Sequence, residues 1–191
     1  PIKCWYYPRA HGSQNLYQAI QNSCNPAFID IGQAVGAKTF LEYYKAFGLD
    51  EPTGIDLPGE GESIFHSEEQ FLSNKVDLAT ASFGQNFQIS PLQLITAVSA
   101  VANGGNLMKP YIVKEILDSD GNIVESTEPT VVRQVISEET SELMCDILET
   151  VVSEGTGKNA YVAGYHIAGK TGTSEKKAKQ AETGRNDLRI S

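Results

Sequence analysis

Apolar residues recur at helical spacing through the first half of the chain. The pattern predicts a short helix capped by Ser13, then a second helix that begins at Asn25, where a proline follows, and ends at Gly36. A third amphipathic stretch covers 38–47. The segment 50–63 is rich in glycine, proline and acidic residues and predicts a loop.

The strongest local signal is Ser90-Pro91-Leu92-Gln93, which combines a serine cap, a proline in the first turn and a glutamine that can complete a capping box. It predicts a helix to Ala102. Beyond it, strand-forming residues at 111–117 and 123–125 flank a turn and predict a hairpin.

The last third of the chain contains both helical and strand periodicity. Ser137 is expected to cap a helix that runs to about Val152, with Leu143, Ile147, Leu148 and Val151 on one apolar face. Residues 161–174 predict a strand, and the polar stretch 176–186 predicts a mobile loop. The layout is α+β: a mainly helical lobe over 13–103 and a sheet-and-helix lobe over 108–191.

Composition narrows the function classes. The net charge of −9 argues against a broad nucleic-acid-binding or anionic-membrane surface. The longest low-polarity run, 94–102, is far shorter than the roughly 18 residues that a membrane helix needs. The chain begins without a methionine, so we expect a piece of a longer protein.

The stretch GYHIAGKTGTS, residues 164–174, fits two chemistries. Residues 164–171 match the phosphate loop G-x-x-x-x-G-K-[ST] of nucleotide hydrolases. However, bulky residues fill the loop interior, and Gly172 is a poor start for the helix that a phosphate loop requires. The nucleotide interpretation is therefore disfavoured.

The second interpretation is the K-T-G motif of penicillin-interacting serine acyltransferases. Lys170 supplies a positive charge, and the hydroxyls of Thr171 and Thr173 lie beside it in sequence, so the segment can receive a small carboxylate. Gly172 leaves room for a ligand to approach the backbone. The backbone N–H of Thr173 is a candidate oxyanion-hole donor.

K-T-G alone is weak, but such enzymes also carry an upstream S-x-N motif. Two candidates are present, Ser13-Gln14-Asn15 and Ser23-Cys24-Asn25. The first is expected to act as a helix cap. The second lies at the junction of two predicted helices, where its side chains can project into a cleft, although Asn25 can also serve as a cap.

Four blocks in this order, QNSCNPAFIDIG (21–32), SFGQNFQISPLQL (82–94), ANGG (102–105) and AGKTGTS (168–174), resemble the transpeptidase domain of class B penicillin-binding proteins. The branch that includes sporulation-specific and division-type members is the most similar. The resemblance covers nearly the whole chain. It implies the fold of β-lactamases and D,D-peptidases, with a helical lobe and an antiparallel sheet flanked by helices, here truncated at both ends.

The resemblance also implies an activity: a serine acyl-enzyme that cross-links peptidoglycan stem peptides ending in D-Ala-D-Ala and that reacts with β-lactams. Ser23 would join the proton relay to the leaving amine, near Lys170. Asn25 would bind the substrate backbone. Lys170, Thr171, Gly172 and Thr173 would hold the terminal carboxylate, with the Thr173 amide in the oxyanion hole. No cofactor is implied.

In this family the nucleophile lies in S-x-x-K, upstream of S-x-N. The S-x-x-K at 174–177 lies downstream of both S-x-N and K-T-G. We therefore interpret it as coincidence and expect the nucleophile outside this chain. The isolated chain is then expected to be inactive. The parent protein would be anchored by an absent N-terminal segment at the extracytoplasmic face of the bacterial membrane, beside other cell-wall synthesis proteins.

Cysteines and histidines add minor hypotheses. Cys4 and Cys24 form a candidate disulfide, since the family's compartment is oxidising, although two free thiols are favoured. A metal site at Cys4, His11 and Cys24 is disfavoured because the spacing matches no zinc pattern. His166 is not expected to be catalytic, and His66 has no evident partner.

Three alternative functions remain open at this point. A D,D-carboxypeptidase or β-lactamase relative would pass the acyl group to water. A β-lactam-sensing or peptidoglycan-binding module would have no catalysis at all. The nucleotide-binding interpretation of Lys170 is the third.

Overall fold

The computed structural model describes residues 2–175 and 189–190. The loop predicted at 176–186 lies outside these residues. The chain divides into two compact units, one formed by Pro1–Phe28 with Asp146–Ser191 and the other by Ile29–Cys145. None of the helices described is long and apolar enough to cross a membrane.

The described residues form seven α-helices, most of them where the sequence pattern predicts one. They are α1 (Leu16–Gln21), α2 (Asn25–Val35), α3 (Ala37–Ala46), α4 (Glu68–Ser73), α5 (Lys75–Ala81), α6 (Pro91–Ala102) and α7 (Glu138–Ser153). The pattern missed α4 and α5, which are only one to two turns long and rely on the caps Ser67 and Asn74. The predicted Ser13 cap is wrong, because Asn15 caps α1 through a capping box with Gln18.

The capping box at α6 forms as predicted. The Ser90 hydroxyl accepts from the Gln93 backbone N–H at 3.0 Å, and the Gln93 side chain accepts from the Ser90 N–H at 2.8 Å. Gln93 is almost fully buried, and its amide also donates to the Glu51 carbonyl at 2.8 Å. The cap therefore fixes both the start of the helix and the adjacent loop.

The strands form three antiparallel pairs. They are β1 (Asn106–Met108) with β4 (Val131–Gln134), β2 (Glu115–Leu117) with β3 (Ile123–Ser126), and β5 (Ser174–Glu175) with β6 (Arg189–Ile190). The predicted hairpin is confirmed as β2–β3, with a shorter first strand.

The strand predicted over 161–174 is wrong for all but its last residue. Tyr165 N–H donates to the Val162 carbonyl at 3.2 Å, and Gly164 has a φ of 86°, so a turn interrupts the extended run. Residues 161–173 pair with no strand among the described residues. Alternation alone does not make a strand, because a ladder also needs a neighbouring backbone.

Aromatic side chains build the core of the unit Ile29–Cys145. Phe71 is fully buried among Leu41, Leu78 and Ala81, and its ring lies 5.0 Å from that of Phe65. This cluster holds the three helices α3, α4 and α5 together.

Helix α7 supplies Ile147, Val151 and Val152 to the interior of the structure. The predicted inward face is wrong at Leu143, which is 46% exposed. Ser141 is buried in the preceding turn and donates to the Val101 carbonyl. A polar residue thus occupies a buried position that apolar periodicity cannot identify.

Phe71→Ala is expected to lower the free energy of unfolding by about 3–5 kcal/mol, because it empties a fully buried aromatic site. The matched control is Leu72→Ala on the same helix, where the side chain is 45% exposed and the cost should be far smaller. Urea unfolding of both variants measures the difference. Equal destabilisation would contradict the assignment of Phe71 as a core residue.

Candidate functional site

The S-x-N candidate forms the turn between α1 and α2. Ser23 N–H donates to the Ile20 carbonyl at 3.1 Å, and Cys24 N–H donates to the Ala19 carbonyl at 3.2 Å. These two bonds are those of a Schellman motif, which ends a helix by placing one residue in the left-handed conformation. Ala19 and Cys24 occupy the two positions between which an apolar contact commonly accompanies this motif, and both are buried.

Ser23 occupies the left-handed position of that turn, with a φ of 47°. Glycine is the usual residue there because a Cβ atom is strained at positive φ. Strained non-glycine residues concentrate at functional sites, where the side chain is needed in spite of its conformational cost. The strained conformation therefore indicates a functional role for the Ser23 hydroxyl.

The Ser23 hydroxyl meets Lys170. Lys170 Nζ donates to Ser23 Oγ at 2.8 Å, across 147 positions of sequence. The same ammonium group lies 3.1 Å from the Thr171 carbonyl and 3.4 Å from Thr171 Oγ1. The structure thus brings together the first residue of Ser23-Cys24-Asn25 and the first residue of K-T-G.

The K-T-G segment is held by α7 rather than by a strand ladder. Gly169 N–H donates to the Leu148 carbonyl at 3.2 Å, and a Cβ at Gly169 would lie 3.4 Å from a Val152 methyl group. Thr171 Oγ1 lies 3.4 Å from the hydroxyl of Thr156, in the turn that follows α7. The helix and this turn together fix the approach of Lys170.

That turn also packs on the end of α1. Thr156 N–H donates to the Gln21 carbonyl at 3.0 Å. A Cβ at Gly155 would lie 2.7 Å from the same carbonyl oxygen and 2.9 Å from that of Val151, distances that side chains do not tolerate. No motif marks residues 155–157 in the sequence, so their role as the bridge between the two motifs was missed.

The charge of Lys170 is not matched by a carboxylate among the described residues: its neighbours are hydroxyl and carbonyl oxygens. Although the residue is exposed as a whole, the surrounding protein atoms displace water from the ammonium group, and this desolvation lowers the pKa of Lys170. A partly desolvated cation without an anionic partner is suited to bind an anion from solution.

The remaining predicted residues flank this contact. Asn25 begins α2, and its side-chain amide has no hydrogen-bond partner within the described part of the chain. Thr173 is exposed, and open space lies where a Cβ of Gly172 would be. Their assignments to substrate binding and to the oxyanion hole stay predictions.

Three further residues named in the sequence analysis, Cys4, His11 and Cys24, form a separate cluster that includes the residue after Ser23. The thiols of Cys4 and Cys24 are free, and their sulfurs and a ring nitrogen of His11 all lie within 4.8 Å of one another. Burial raises the pKa of the Cys4 thiol, and the adjacent Cys24 thiol raises it further. The disulfide between Cys4 and Cys24 stays a prediction.

The histidines outside this cluster have carboxylate or amide neighbours. His166 Nδ1 lies 2.7 Å from Glu149 Oε1 at the surface. The expectation that His66 has no partner is wrong, since its ring nitrogens lie 3.0 Å from the Gln70 amide and 3.2 Å from the Asn86 amide. Neither histidine contacts Lys170 or Ser23.

The geometry does not fit a phosphate loop. No helix follows Thr171 as far as Glu175, and the Lys170 ammonium group is directed to Ser23 and Thr171. A phosphate loop requires backbone N–H groups and a helix N-terminus at that position.

Comparisons with known proteins agree with this geometry. The family model "Penicillin binding protein transpeptidase domain" matches residues 1–191. Stage V sporulation protein D of Bacillus subtilis (strain 168) is 45% identical over 176 residues, which cover 92% of this chain and 27% of that protein. The chain thus spans about a quarter of the length of this curated relative.

Solved structures give the same result. The D,D-transpeptidase domain of a peptidoglycan glycosyltransferase from Eggerthella lenta superposes with a TM-score of 0.78 at 32% identity, covering 88% of this chain and 43% of that one. Penicillin-binding protein 3 of Mycobacterium tuberculosis in complex with aztreonam gives 0.79 at 30% identity, covering 85% and 37%. The α+β fold of the penicillin-binding proteins is confirmed, and the chain belongs to the penicillin-binding protein transpeptidase domain family.

Proposed function

We propose that this chain supplies two walls of the acyl-transfer site of a peptidoglycan D,D-transpeptidase. The observation that carries the proposal is the 2.8 Å hydrogen bond from Lys170 Nζ to Ser23 Oγ, which joins the two motifs. Relatives named as peptidoglycan D,D-transpeptidases and penicillin-binding proteins support it. The substrate class is a stem peptide that ends in D-Ala-D-Ala, and β-lactams would react at the same site.

Lys170 acts in this proposal as the receptor of the substrate's terminal carboxylate. Its positive charge has no carboxylate partner among the described residues, and the Thr171 hydroxyl is 3.4 Å from its Nζ. Thr173 would add a second hydroxyl and its backbone N–H, and open space lies where a Cβ of Gly172 would be. Asn25 would bind the peptide backbone of the same substrate.

Ser23 acts as a proton relay. Its hydroxyl oxygen accepts a hydrogen bond from Lys170, so its own O–H is available to a third group. When the acyl bond to D-alanine breaks, Ser23 can give its proton to the leaving amine and take one from Lys170 Nζ. The Ser23 hydroxyl is regenerated, and the neutral Lys170 amine left behind takes a proton from solvent before the next turnover.

In this proposal the nucleophilic serine lies outside these 191 residues. The acceptor would be an amine of a second stem peptide, and the site would face the cell wall on the outer side of the membrane. Cell-wall synthesis proteins would be its neighbours there. The isolated chain would then neither bind penicillin covalently nor turn over substrate.

Replacing either residue of the central contact should slow acylation by a fluorescent penicillin in the full-length protein. For Lys170→Ala and Ser23→Ala we expect rates lower by roughly 100-fold or more, which is the usual contribution of a proton-transfer group. The matched controls are Lys158→Ala and Ser153→Ala, exposed residues near the same turn. Undiminished labelling in both test variants would remove these residues from the site.

The rate of acylation should also fall at alkaline pH. Desolvation lowers the pKa of Lys170, so the ammonium group loses its proton at a pH below the pKa of about 10.4 of an ordinary lysine. Lys170→Arg keeps its charge throughout that range, so any residual activity of this variant should not decline there. Stopped-flow measurement of acylation against pH tests the difference.

The deprotonation of Lys170 does not destabilise the fold, so the expected decline in rate is not explained by unfolding caused by Lys170. In the window between the lowered pKa and the ordinary value, the unfolded state binds more protons than the folded state, so the contribution of Lys170 to stability rises with pH. An identical alkaline decline in the Lys170→Arg variant would assign the effect to another group.

Gly155→Ala should reduce acylation although it touches neither motif. The added methyl group would meet the Gln21 carbonyl at 2.7 Å and push the turn away from α1, which separates Ser23 from Lys170. We expect roughly a 10- to 100-fold lower rate, because a displacement of about 1 Å from a distant mutation can cost that much. Gly61→Ala is the control, since nothing lies within 4 Å of its Cβ position.

The two glycine variants are compared by penicillin labelling together with thermal unfolding. A normal labelling rate in a folded Gly155→Ala protein would show that the turn does not position the site. If Gly155→Ala is too unstable to purify, Thr156→Val tests the same turn through the 3.4 Å contact of Thr156 Oγ1 with Thr171.

A further inference from the structure

The carbonyls at the C-terminal end of α1 have no partner within the helix and need one from elsewhere. All four accept a hydrogen bond, namely those of Ala19, Ile20, Gln21 and Asn22. The first two are satisfied within the turn itself, by the N–H groups of Cys24 and Ser23. The third accepts from Thr156 N–H, in the turn that follows α7. The fourth, that of Asn22, accepts from the indole N–H of Trp5 at 2.7 Å.

The Asn22 carbonyl matters because it belongs to the peptide unit that precedes Ser23. A peptide unit is planar, so the Asn22 oxygen and the Ser23 nitrogen move together as one rigid body. The φ of Ser23 is the rotation between this plane and the rest of the residue, and it has the strained value of 47°. The plane is held at both ends, by the bond of Ser23 N–H to the Ile20 carbonyl and by the bond of Trp5 to the Asn22 oxygen. These two bonds therefore restrain the strained φ.

Burial does not explain the position of Trp5. Its side chain is 52% exposed, although a tryptophan is on average a highly buried residue. Two rings contact it edge-on, with centroid distances of 5.5 Å to Tyr6 and 5.6 Å to His11. The indole N–H is the atom through which Trp5 reaches the turn, and a phenyl ring at this position would lack that donor.

We propose that Trp5 is a positioning residue for the acyl-transfer reaction. Its indole N–H holds the peptide unit between Asn22 and Ser23, and this unit directs the Ser23 hydroxyl to Lys170. In this role Trp5 acts through Ser23 and not on the substrate. The inference rests on the proton relay proposed for Ser23, and it adds a residue that belongs to neither S-x-N nor K-T-G.

Trp5→Phe removes the N–H donor and keeps an aromatic ring. In the full-length protein we expect acylation by a fluorescent penicillin to slow by roughly 3- to 10-fold, the factor that one ordinary hydrogen bond contributes. The loss should lie in the first-order acylation step, with the dissociation constant of the initial penicillin complex unchanged, because Ser23 transfers its proton after binding. Tyr7→Phe is the matched control, since Tyr7 is an exposed aromatic residue of the same segment, and it should react at the wild-type rate. Stopped-flow fluorescence measures both constants, and thermal unfolding checks that both variants are folded.

A double-mutant cycle separates positioning from direct contact with the substrate. Because Trp5 acts through the Ser23 hydroxyl, Trp5→Phe should change the rate by less than roughly twofold in a Ser23→Ala protein, where that hydroxyl is absent. An equal loss in both backgrounds would overturn the inference, as would a weaker initial complex with an unchanged acylation step. A wild-type rate for Trp5→Phe beside a slow Ser23→Ala protein overturns this inference alone. An undiminished rate for Ser23→Ala overturns the proposed function and the positioning role with it.

Backbone hydrogen exchange gives a second measurement that is independent of activity. In Trp5→Phe, the amides of Ser23 and Cys24 should exchange faster by a factor similar to the loss in rate, because the turn opens more often. Amides in the middle of α7 should exchange as they do in the wild type. Unchanged exchange at the turn, read by mass spectrometry, would overturn the inference even if acylation is slower.

Discussion

The contact between Lys170 Nζ and Ser23 Oγ is the interaction around which the unit Pro1–Phe28 with Asp146–Ser191 is organised. Each partner is positioned by a separate set of backbone hydrogen bonds. Ser23 is presented by a left-handed helix end, and Lys170 by a segment that hydrogen-bonds to α7 through Gly169. Gly155 lets these two parts of the backbone pack together, because only a residue without Cβ allows the turn after α7 to reach the Gln21 carbonyl. The chemistry of the site is therefore limited by backbone packing.

Local signals in the sequence predicted the elements that local forces determine. The α6 capping box is correct because Ser90 and Gln93 satisfy each other within a single turn. The strand predicted over 161–174 failed because a ladder needs a partner, and here Gly164 turns the backbone while α7 supplies the anchoring carbonyl. The prediction of Leu143 as buried failed for a related reason: at that end of α7 the buried residue is Ser141, whose hydroxyl makes a tertiary hydrogen bond to the Val101 carbonyl.

The site was predicted from motifs and not from periodicity. Ser23, Asn25 and Lys170 were named because S-x-N and K-T-G occur in the order expected of the family, and the structure joins the first and third of these residues. Gly155 carried no motif, since its requirement arises from a carbonyl far away in sequence. The same holds for Cys4, His11 and Cys24, whose spacing resembles no metal pattern although their ligand atoms converge.

The cysteine–histidine cluster and the acyl-transfer contact share one structural element, the turn between α1 and α2. In a Schellman turn, the residue after the left-handed position commonly packs inward on the helix, and here that residue is the buried Cys24, whose N–H donates to the Ala19 carbonyl. Ser23 and Cys24 are adjacent, so the backbone that buries one side chain also orients the other. The φ of 47° that directs Ser23 to Lys170 thus belongs to the same turn that buries the Cys24 thiol.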